Sequence, residues 1–181
     1  GGGTSVERAK AIIDAGIPVM GHVGLTPQTA TALGGMKAQG RTAERAIRVA
    51  EDAIALDHAG CFSIVIEAVP EAVAEMIVAK LSAPTIGIGA GNATAGQVLV
   101  LHDLTGINHG HVAKFVKRYA DVRSEMLRGV AGYIDEVRDG SFPAPEHVYS
   151  VEPAELEGLR QRLNREDIEP ATSWDWEPFS Q

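Results

Sequence analysis

The sequence predicts an α/β fold with a parallel sheet, and two patterns along the chain carry this prediction. Segments with helical periodicity alternate with short apolar segments, which is the order expected when helices connect parallel strands. Each apolar segment is almost continuously hydrophobic, as strands covered on both faces are. Four such units make about half of a (βα)8 barrel, which needs roughly 250 residues. We expect half a barrel, and a small doubly wound sheet is the alternative.

The first predicted unit opens with a helix over residues 4–16, where Thr4 and Glu7 have the spacing of a capping box. Residues 17–24 (IPVMGHVG) predict a short strand that ends in glycine. Residues 25–41 are rich in Gly, Thr and Gln and predict a long loop. Loops of this length inside a compact domain are usually functional.

The second and third units follow the same order. Thr42 is a favourable N-cap for a helix that ends near Gly60, and residues 61–67 (CFSIVIE) predict the next strand. Pro70 opens a third helix, because proline is favoured in the first helical turn. The sequence then predicts a strand in APTIGIGAG, starting at Ala83. The apolar face of the second helix is predicted to hold Ala43, Ala46, Ile47, Ala50 and Ile54.

A fourth apolar run, GQVLVLHD (residues 96–103), predicts the last strand. A helical region is expected from about His111 to Asp139, broken near Asp121 and ended by Gly140. Further on, PAELEGLRQRLNRED predicts an amphipathic helix, and a tail with Trp174 and Trp176 follows it. We therefore expect a partial barrel domain over residues 1–149 and an acidic C-terminal extension over residues 150–181.

Composition excludes several classes of protein. The 181 residues are 45% hydrophobic and 22% charged, which suits one soluble globular domain. The formal net charge of −8 argues against a nucleic-acid surface, and no apolar run approaches the roughly 20 residues that span a membrane. The single Cys61 cannot form an internal disulfide, so we expect a small core residue and a reducing, cytoplasmic location.

The residues that could carry chemistry follow the predicted strands. His22 follows IPVMG, Glu67 follows SIVI, and His102 and Asp103 follow QVLVL, near the ends of the predicted strands. Because the carboxyl ends of parallel strands meet at one edge, these residues are candidates for one site. Each also has a structural interpretation: His22 as a hydrogen-bonded strand residue, and Asp103 as the brace of a turn.

Glu67 is the most informative of these candidates, because it interrupts the apolar stretch SIVIEAVP. Burying a carboxylate is costly unless it is paired or used. One interpretation is that it caps the third helix by accepting from its first N–H groups. The other is that an apolar niche raises its pKa, which produces a general base that is useful near neutral pH.

Two further motifs carry little specific signal. The glycine-rich GIGAGNATAG lacks the Lys-Ser/Thr end of a phosphate-binding loop and the spacing of a dinucleotide fingerprint, so we expect tight packing and close substrate approach there. His109 and His111 are spaced like metal ligands, but without further ligands nearby we expect surface residues.

A series of segments, in order along the chain from about Gly2 to Tyr149, resembles the ketopantoate hydroxymethyltransferase family: PVMGHVGLTPQ, GGMKAQGR, IVIEAVP, TIGIGAGNATAGQVLVLHDLTGI, KFVKRYADV and FPAPEHVY. The resemblance implies strands 5 to 8 and the C-terminal helices of a (βα)8 barrel of the phosphoenolpyruvate/pyruvate type. It also implies transfer of a hydroxymethyl group from 5,10-methylenetetrahydrofolate to 3-methyl-2-oxobutanoate, which gives 2-dehydropantoate on the route to pantothenate and coenzyme A.

The resemblance also assigns roles. Glu67 corresponds to the general base of the family, and His22 to the residue that hydrogen-bonds an oxygen of the substrate or product. The family holds Mg²⁺ with carboxylates from earlier strands, and Gly1 stands at or next to the place of the last of them. We therefore expect no metal ligand in this chain, which would be a C-terminal fragment, inactive alone.

The expected partners are a small 2-oxo acid, the folate co-substrate and further copies of the chain in a homo-oligomer, without nucleic acid or membrane. Two alternatives remain. A related barrel lyase or mutase acting on another 2-oxo acid is disfavoured by the GLTPQ and AQGR segments. A non-catalytic half-barrel remnant would leave sheet edges and an apolar interior open.

Overall fold

The computed structural model describes residues 3–26 and 37–164. Its helices and strands alternate along the chain as the sequence predicts. In chain order they are α1 (Thr4–Asp14), β1 (Met20–Gly24), α2 (Ala43–His58), β2 (Ser63–Glu67), α3 (Glu71–Val78), β3 (Thr85–Ile88), β4 (Gly96–Gln97), α4 (Leu101–Leu104), α5 (Val122–Asp139), a 3-10 helix (Pro145–His147) and α6 (Pro153–Leu163).

The four strands form one sheet in the order β1-β2-β3-β4, and every neighbouring pair is parallel. The predicted α/β architecture with a parallel sheet is therefore confirmed. In the register of the sheet, Glu67 at the end of β2 lies opposite Gly24 of β1 and Ile88 of β3. This places the last residue of β2 at the centre of the carboxyl-terminal edge.

One face of the sheet is buried under helices. Side chains alternate between faces along a strand, so Val23, Ile64 and Ile66 share the helix-covered face. They belong to a core whose other members come mainly from the helices and the connecting turns: Ala9, Val49, Ala53, Leu56, Cys61, Val69, Ala74, Ile77 and Ala90. Cys61 is buried, as the sequence predicts.

The second face of the sheet carries His22, Val65 and Ile86, which are only half-buried in the described chain. Their strand neighbours on this face include Glu67 and Ile88, both buried. The candidate acid–base residues therefore occupy the face that the helices do not cover.

Several local predictions are confirmed. The Thr42 side chain caps α2 by accepting a hydrogen bond from the Arg45 N–H at 3.3 Å. Pro70 precedes α3 directly, and Gly140, with φ of 80°, follows the last residue of α5. The amphipathic segment after Val151 forms α6.

Other local predictions are wrong. The capping box of α1 is absent: Gly3 is the N-cap, and no side chain caps the helix. The fourth apolar run pairs with β3 only at Gly96–Gln97, and from Leu101 the chain turns into α4. Helix α5 begins at Val122, so residues 111–121 are not helical.

The buried side of α2 also differs from the predicted one. Val49, Ala53 and Leu56 are buried, whereas Ile47 is 56% exposed. Both stripes have helical spacing, so the periodicity alone does not distinguish them. Packing against the sheet determines which side of α2 is buried, because Val23, Ile64 and Ile66 complete the core on that side.

Two predicted features lie partly or wholly outside the described residues: most of the loop over 25–41 and the tail with Trp174 and Trp176. Within the described chain, no helix is both long and apolar enough to cross a membrane.

The contacts divide the chain into two compact units, Gly1–Leu127 and Arg128–Gln181. In the second unit the Phe142 ring lies 5.6 Å from the Tyr133 ring and 5.1 Å from the His147 ring, between centroids.

We expect Ile64→Ala to lower the free energy of unfolding by about 2–5 kcal/mol, because Ile64 is fully buried and its truncation leaves a cavity in the core. The matched control is Ile47→Ala on the exposed side of α2, for which a change within about 0.5 kcal/mol is expected. Urea unfolding followed by circular dichroism measures both. Equal losses for the two variants would contradict the described core.

Candidate active site

Glu67 is the last residue of β2, and its backbone remains in the sheet while its side chain meets the carboxyl-terminal edge. The residue is 9% exposed, which is unusual for a glutamate. Three buried apolar residues are close to it: Ile88, its register partner in β3, Val69, two residues further along the chain, and Leu25, whose N–H bonds to the Glu67 carbonyl. The sequence places a carboxylate here because this one position ends the apolar strand at the edge rather than within the core.

His22 is the partner of this carboxylate. Its Nε2, a buried atom, lies 3.1 Å from Glu67 Oε2, at ion-pair distance. The contact follows from the register: His22 is two residues before Gly24, the residue opposite Glu67, so both side chains project from the same face. The structure therefore brings together the two residues that the sequence singled out.

The pKa of Glu67 is raised above the ordinary glutamate value, and the largest cause is burial, which disfavours the charged carboxylate. The charge of His22 and its hydrogen bond lower the pKa, but they do not cancel the effect of burial. The carboxyl group is therefore a stronger base than a solvent-exposed glutamate.

Backbone hydrogen bonds from three segments fix the chain around Glu67. The Leu25 N–H donates to the Glu67 carbonyl at 2.9 Å, and the Ala68 N–H donates to the Ile88 carbonyl at 2.8 Å. The Ala68 carbonyl accepts from the Gln39 N–H at 2.8 Å. Ala68 has a φ of 51°, a left-handed conformation that is uncommon without glycine. Such strain persists only where the surroundings determine it, and it is typical of functional sites.

Gly24 is needed for this close approach of β1 and β2. Its φ is 87°, and a Cβ atom at this position would lie 2.2 Å from the Glu67 carbonyl oxygen and 2.8 Å from Val69 Cγ2. Both features require glycine. The residue thus allows the Leu25 N–H to reach the backbone of Glu67.

A cavity of about 860 Å³ opens beside the carboxylate. Glu67 and Glu71 line it together with a cationic set that the sequence reasoning did not single out, Lys37, Arg41 and Lys114. These residues lie in the segments GGMKAQGR and KFVKRYADV, which resemble the family, and no periodic pattern identifies them as site residues. His22 does not line this cavity; it contacts Glu67 from outside it.

The remaining candidates fall into two groups. Asp103 lies in α4 rather than at the end of a strand, yet it lines the same cavity and accepts a hydrogen bond from Asn108 Nδ2. Among the histidines after the fourth run, His111 lines the cavity, whereas His102 and His109 do not.

The glycine-rich turn after β3 packs closely, as the sequence predicts. Gly89 and Gly91 line the cavity with positive φ values of 64° and 76°. A Cβ at Gly89 would lie 2.5 Å from the Phe115 ring, and one at Gly91 would lie 2.4 Å from Glu71 Cγ. The bare backbone here leaves room for those two side chains.

The interpretation that Glu67 caps α3 is wrong. The N-cap of α3 is Pro70, and no side chain caps this helix. In the described chain the Val73 and Ala74 N–H groups donate to the Pro70 carbonyl instead. The carboxylate is therefore available for the contact with His22 and for the cavity.

A set of metal ligands is missing from the described residues. Over 3–26 and 37–164, no group of three or more His, Cys, Asp or Glu side chains is placed to hold a metal ion. The Mg²⁺ that the family resemblance implies therefore does not fit the described chain by itself.

A buried carboxylate at the end of a parallel strand contacts an imidazole and lines a cavity, which is the arrangement of a candidate acid–base site in an α/β protein. The family model described as ketopantoate hydroxymethyltransferase matches residues 1–145. The chain therefore belongs to the ketopantoate hydroxymethyltransferase family.

Individual relatives agree with this family. The 3-methyl-2-oxobutanoate hydroxymethyltransferase of Nitratidesulfovibrio vulgaris (strain DP4) is 51% identical over 165 residues, or 91% of this chain and 54% of the relative. The Heliobacterium modesticaldum enzyme of the same name is 53% identical over 88% of this chain and 57% of its own length. That of Cenarchaeum symbiosum (strain A) is 48% identical over 88% and 61%. The chain thus spans little more than half the length of these relatives.

We expect Gly24→Ala to destabilise the protein by about 1–3 kcal/mol, because the added Cβ meets the Glu67 carbonyl oxygen and the backbone is left-handed. Gly96→Ala is the matched control in the same sheet, since no atom lies within 4 Å of its Cβ position. Urea unfolding measures both changes. A loss of equal size in the two variants would contradict the role assigned to Gly24.

We also expect Glu67→Gln to make the protein more stable at pH 7. The raised pKa means that the folded state holds the proton more tightly than the unfolded state. The stability contributed by Glu67 is then fully present below the unfolded pKa and is lost as pH rises through the folded pKa. Glutamine resembles the protonated form, so its advantage should be absent near pH 4 and grow toward pH 7, by about 1.4 kcal/mol for each pKa unit.

Unfolding by urea at several pH values between 4 and 8 tests this expectation. Glu75→Gln on the exposed side of α3 is the control, for which the pH profile should follow that of the unsubstituted protein. An advantage of Glu67→Gln that shrinks as pH rises would overturn the inferred direction of the pKa shift.

Proposed function

We propose that the site acts in the transfer of a hydroxymethyl group to 3-methyl-2-oxobutanoate, with Glu67 as the general base. The observation that carries the proposal is the buried Glu67 carboxylate, 3.1 Å from His22 and lining a cavity. The names of the relatives supply the substrate: each of those described above is a 3-methyl-2-oxobutanoate hydroxymethyltransferase.

Glu67 takes the proton from the carbon next to the ketone of the bound 2-oxo acid. The C–H bond breaks, the proton moves to a Glu67 carboxylate oxygen, and the electron pair forms an enolate. Water releases the one-carbon unit of 5,10-methylenetetrahydrofolate as formaldehyde: both C–N bonds of the methylene carbon break, the water oxygen becomes the carbonyl oxygen, and the two water protons go to the nitrogens of tetrahydrofolate. The enolate carbon then bonds to the formaldehyde carbon, and the resulting alkoxide takes the proton held by Glu67 to become the hydroxyl group. The raised pKa of Glu67 supports the first step, because it brings the base closer to neutral pH.

His22 has a positioning and binding role in this proposal. Its contact with Glu67 Oε2 fixes the carboxylate, and its side chain remains 33% exposed. We assign to it a hydrogen bond to an oxygen of the substrate or product. The described residues do not provide a Mg²⁺ site.

We further propose that the chain forms strands 5 to 8 of a (βα)8 barrel, with a barrel domain up to residue 149 and an acidic extension from residue 150. Support comes from the four parallel strands in sequential order and from the single helix-covered face. The family model matches residues 1–145, and the chain covers 54% of the length of the Nitratidesulfovibrio vulgaris relative. Assembly into a homo-oligomer and a cytoplasmic location remain predictions.

The lyase or mutase alternative has less support, because the matched relatives described here share the transferase name. A non-catalytic half barrel remains distinguishable by experiment. It predicts no effect of Glu67 on any exchange reaction of a 2-oxo acid.

We expect Glu67→Gln to slow deuterium exchange at the carbon next to the ketone of 3-methyl-2-oxobutanoate by about 10²–10⁴-fold, the range that a general base contributes. The test uses a protein of the relatives' length that contains this chain, and proton NMR in D₂O follows the exchange. Glu75→Gln on the exposed side of α3 is the control and should exchange at the unsubstituted rate.

The same assay applied to the 181-residue chain alone is expected to give no exchange and no 2-dehydropantoate, because the described residues do not provide the metal site that the family resemblance implies. Measurable product from the isolated chain would refute this expectation. Unchanged exchange in Glu67→Gln at full length would remove Glu67 from the role of base.

A further inference from the structure

Three cationic side chains line the cavity beside Glu67, and they come from two separate segments of the chain. Lys37 and Arg41 lie between β1 and α2, and Lys114 lies between α4 and α5. All three residues are exposed to solvent. Cations that converge on one cavity from segments distant in sequence are placed there by the fold rather than by local charge patterning.

The cavity lining also holds three carboxylates, but none of these three cationic residues forms an ion pair with a described carboxylate. Glu67 contacts His22, Glu71 accepts from the Asn92 N–H at 3.3 Å, and Asp103 accepts from Asn108. Each carboxylate therefore has a contact of its own, although Glu71 and Asp103 accept from neutral donors and keep their negative charges. By contrast, none of the three cations lies within ion-pair distance of a carboxylate that the structure describes.

The cavity is also larger than a short-chain 2-oxo acid requires. At about 860 Å³ it lies within the range of roughly 300–1,000 Å³ that accommodates ligands of drug size. A small keto acid beside Glu67 leaves most of that volume for the second reactant. That reactant must approach Glu67 and the cationic residues at once.

We propose that Lys37, Arg41 and Lys114 form an anion site for the acidic tail of the one-carbon donor. The inference rests on the proposed function, since the donor enters through that reaction. A tetrahydrofolate ends in a glutamate with two carboxylates, and each further γ-linked glutamate adds one more. Arg41 can bind a carboxylate with two parallel N–H groups, and the lysines add charges that attract the rest of the tail.

Binding of folates to the 181-residue chain tests the site without any need for turnover. Isothermal titration calorimetry compares tetrahydropteroate, which lacks glutamate, with tetrahydrofolate and its triglutamate. We expect affinity to rise with each glutamate and to fall as salt is added. Lys37→Gln, Arg41→Gln and Lys114→Gln should each weaken triglutamate binding by about two- to fivefold, and the triple variant by about tenfold or more.

The control is Lys117→Gln. Lys117 lies in the same segment as Lys114, but its Nζ stacks over the Tyr119 ring at 4.8 Å and it does not line the cavity. This variant should bind the triglutamate like the unsubstituted chain, and Lys37→Arg should retain binding because the charge is kept. Tetrahydropteroate affinity should be the same in all variants.

Three results would overturn the anion site: triglutamate binding no tighter than that of tetrahydropteroate, an equal loss in Lys117→Gln, or no detectable triglutamate binding. Steady-state kinetics on a protein of the relatives' length gives a further test. The triple variant should raise KM for the donor and leave KM for 3-methyl-2-oxobutanoate unchanged. A raised KM for the keto acid with an unchanged KM for the donor would also overturn the anion site and would assign the cations to the keto acid. Failure of the proposed function looks different, because the unsubstituted protein would then show no Glu67-dependent deuterium exchange.

Discussion

The contact between a desolvated carboxylate and one imidazole sets the properties of this site. Burial of Glu67 raises its pKa, and His22 at 3.1 Å opposes the rise without cancelling it. Burial without a partner would leave a protonated acid, whereas full exposure would leave an ordinary weak base. The two effects act in opposite directions on one carboxyl group, and burial is the larger, so the pKa of Glu67 stays above the ordinary glutamate value.

The backbone fixes the relative positions of His22 and Glu67. In a parallel sheet with this register, His22 and Glu67 project from the same face, and the opposing Gly24 lets the strands close around the Glu67 carbonyl. The left-handed Ala68 turns the chain directly after the carboxylate, and its N–H and carbonyl bond to two different segments. Glu67 is thus held by regular structure, while the cations of the cavity come from connecting segments, where binding residues are commonly found.

The sequence predicts those features that local patterns encode. The apolar run before Glu67 identifies β2, and Thr42 identifies the start of α2. It fails where tertiary contacts decide: the run VLVLHD has strand-like composition, but only Gly96–Gln97 pairs with β3 before α4 begins. The sequence does not predict the cationic residues of the cavity for the same reason, since Lys37 and Lys114 are far apart in sequence and line one cavity only after folding.

The most direct test of this account is a carbon-13 NMR titration of the Glu67 carboxyl group in the 181-residue chain, assigned by comparison with Glu67→Gln. The account predicts a midpoint above the ordinary glutamate value of 4.5, because burial dominates. It also predicts a further rise in His22→Ala, because the substitution removes the group that lowers the pKa. A midpoint at or below 4.5, or a fall in His22→Ala, would contradict the claim that Glu67 is a buried base restrained by His22.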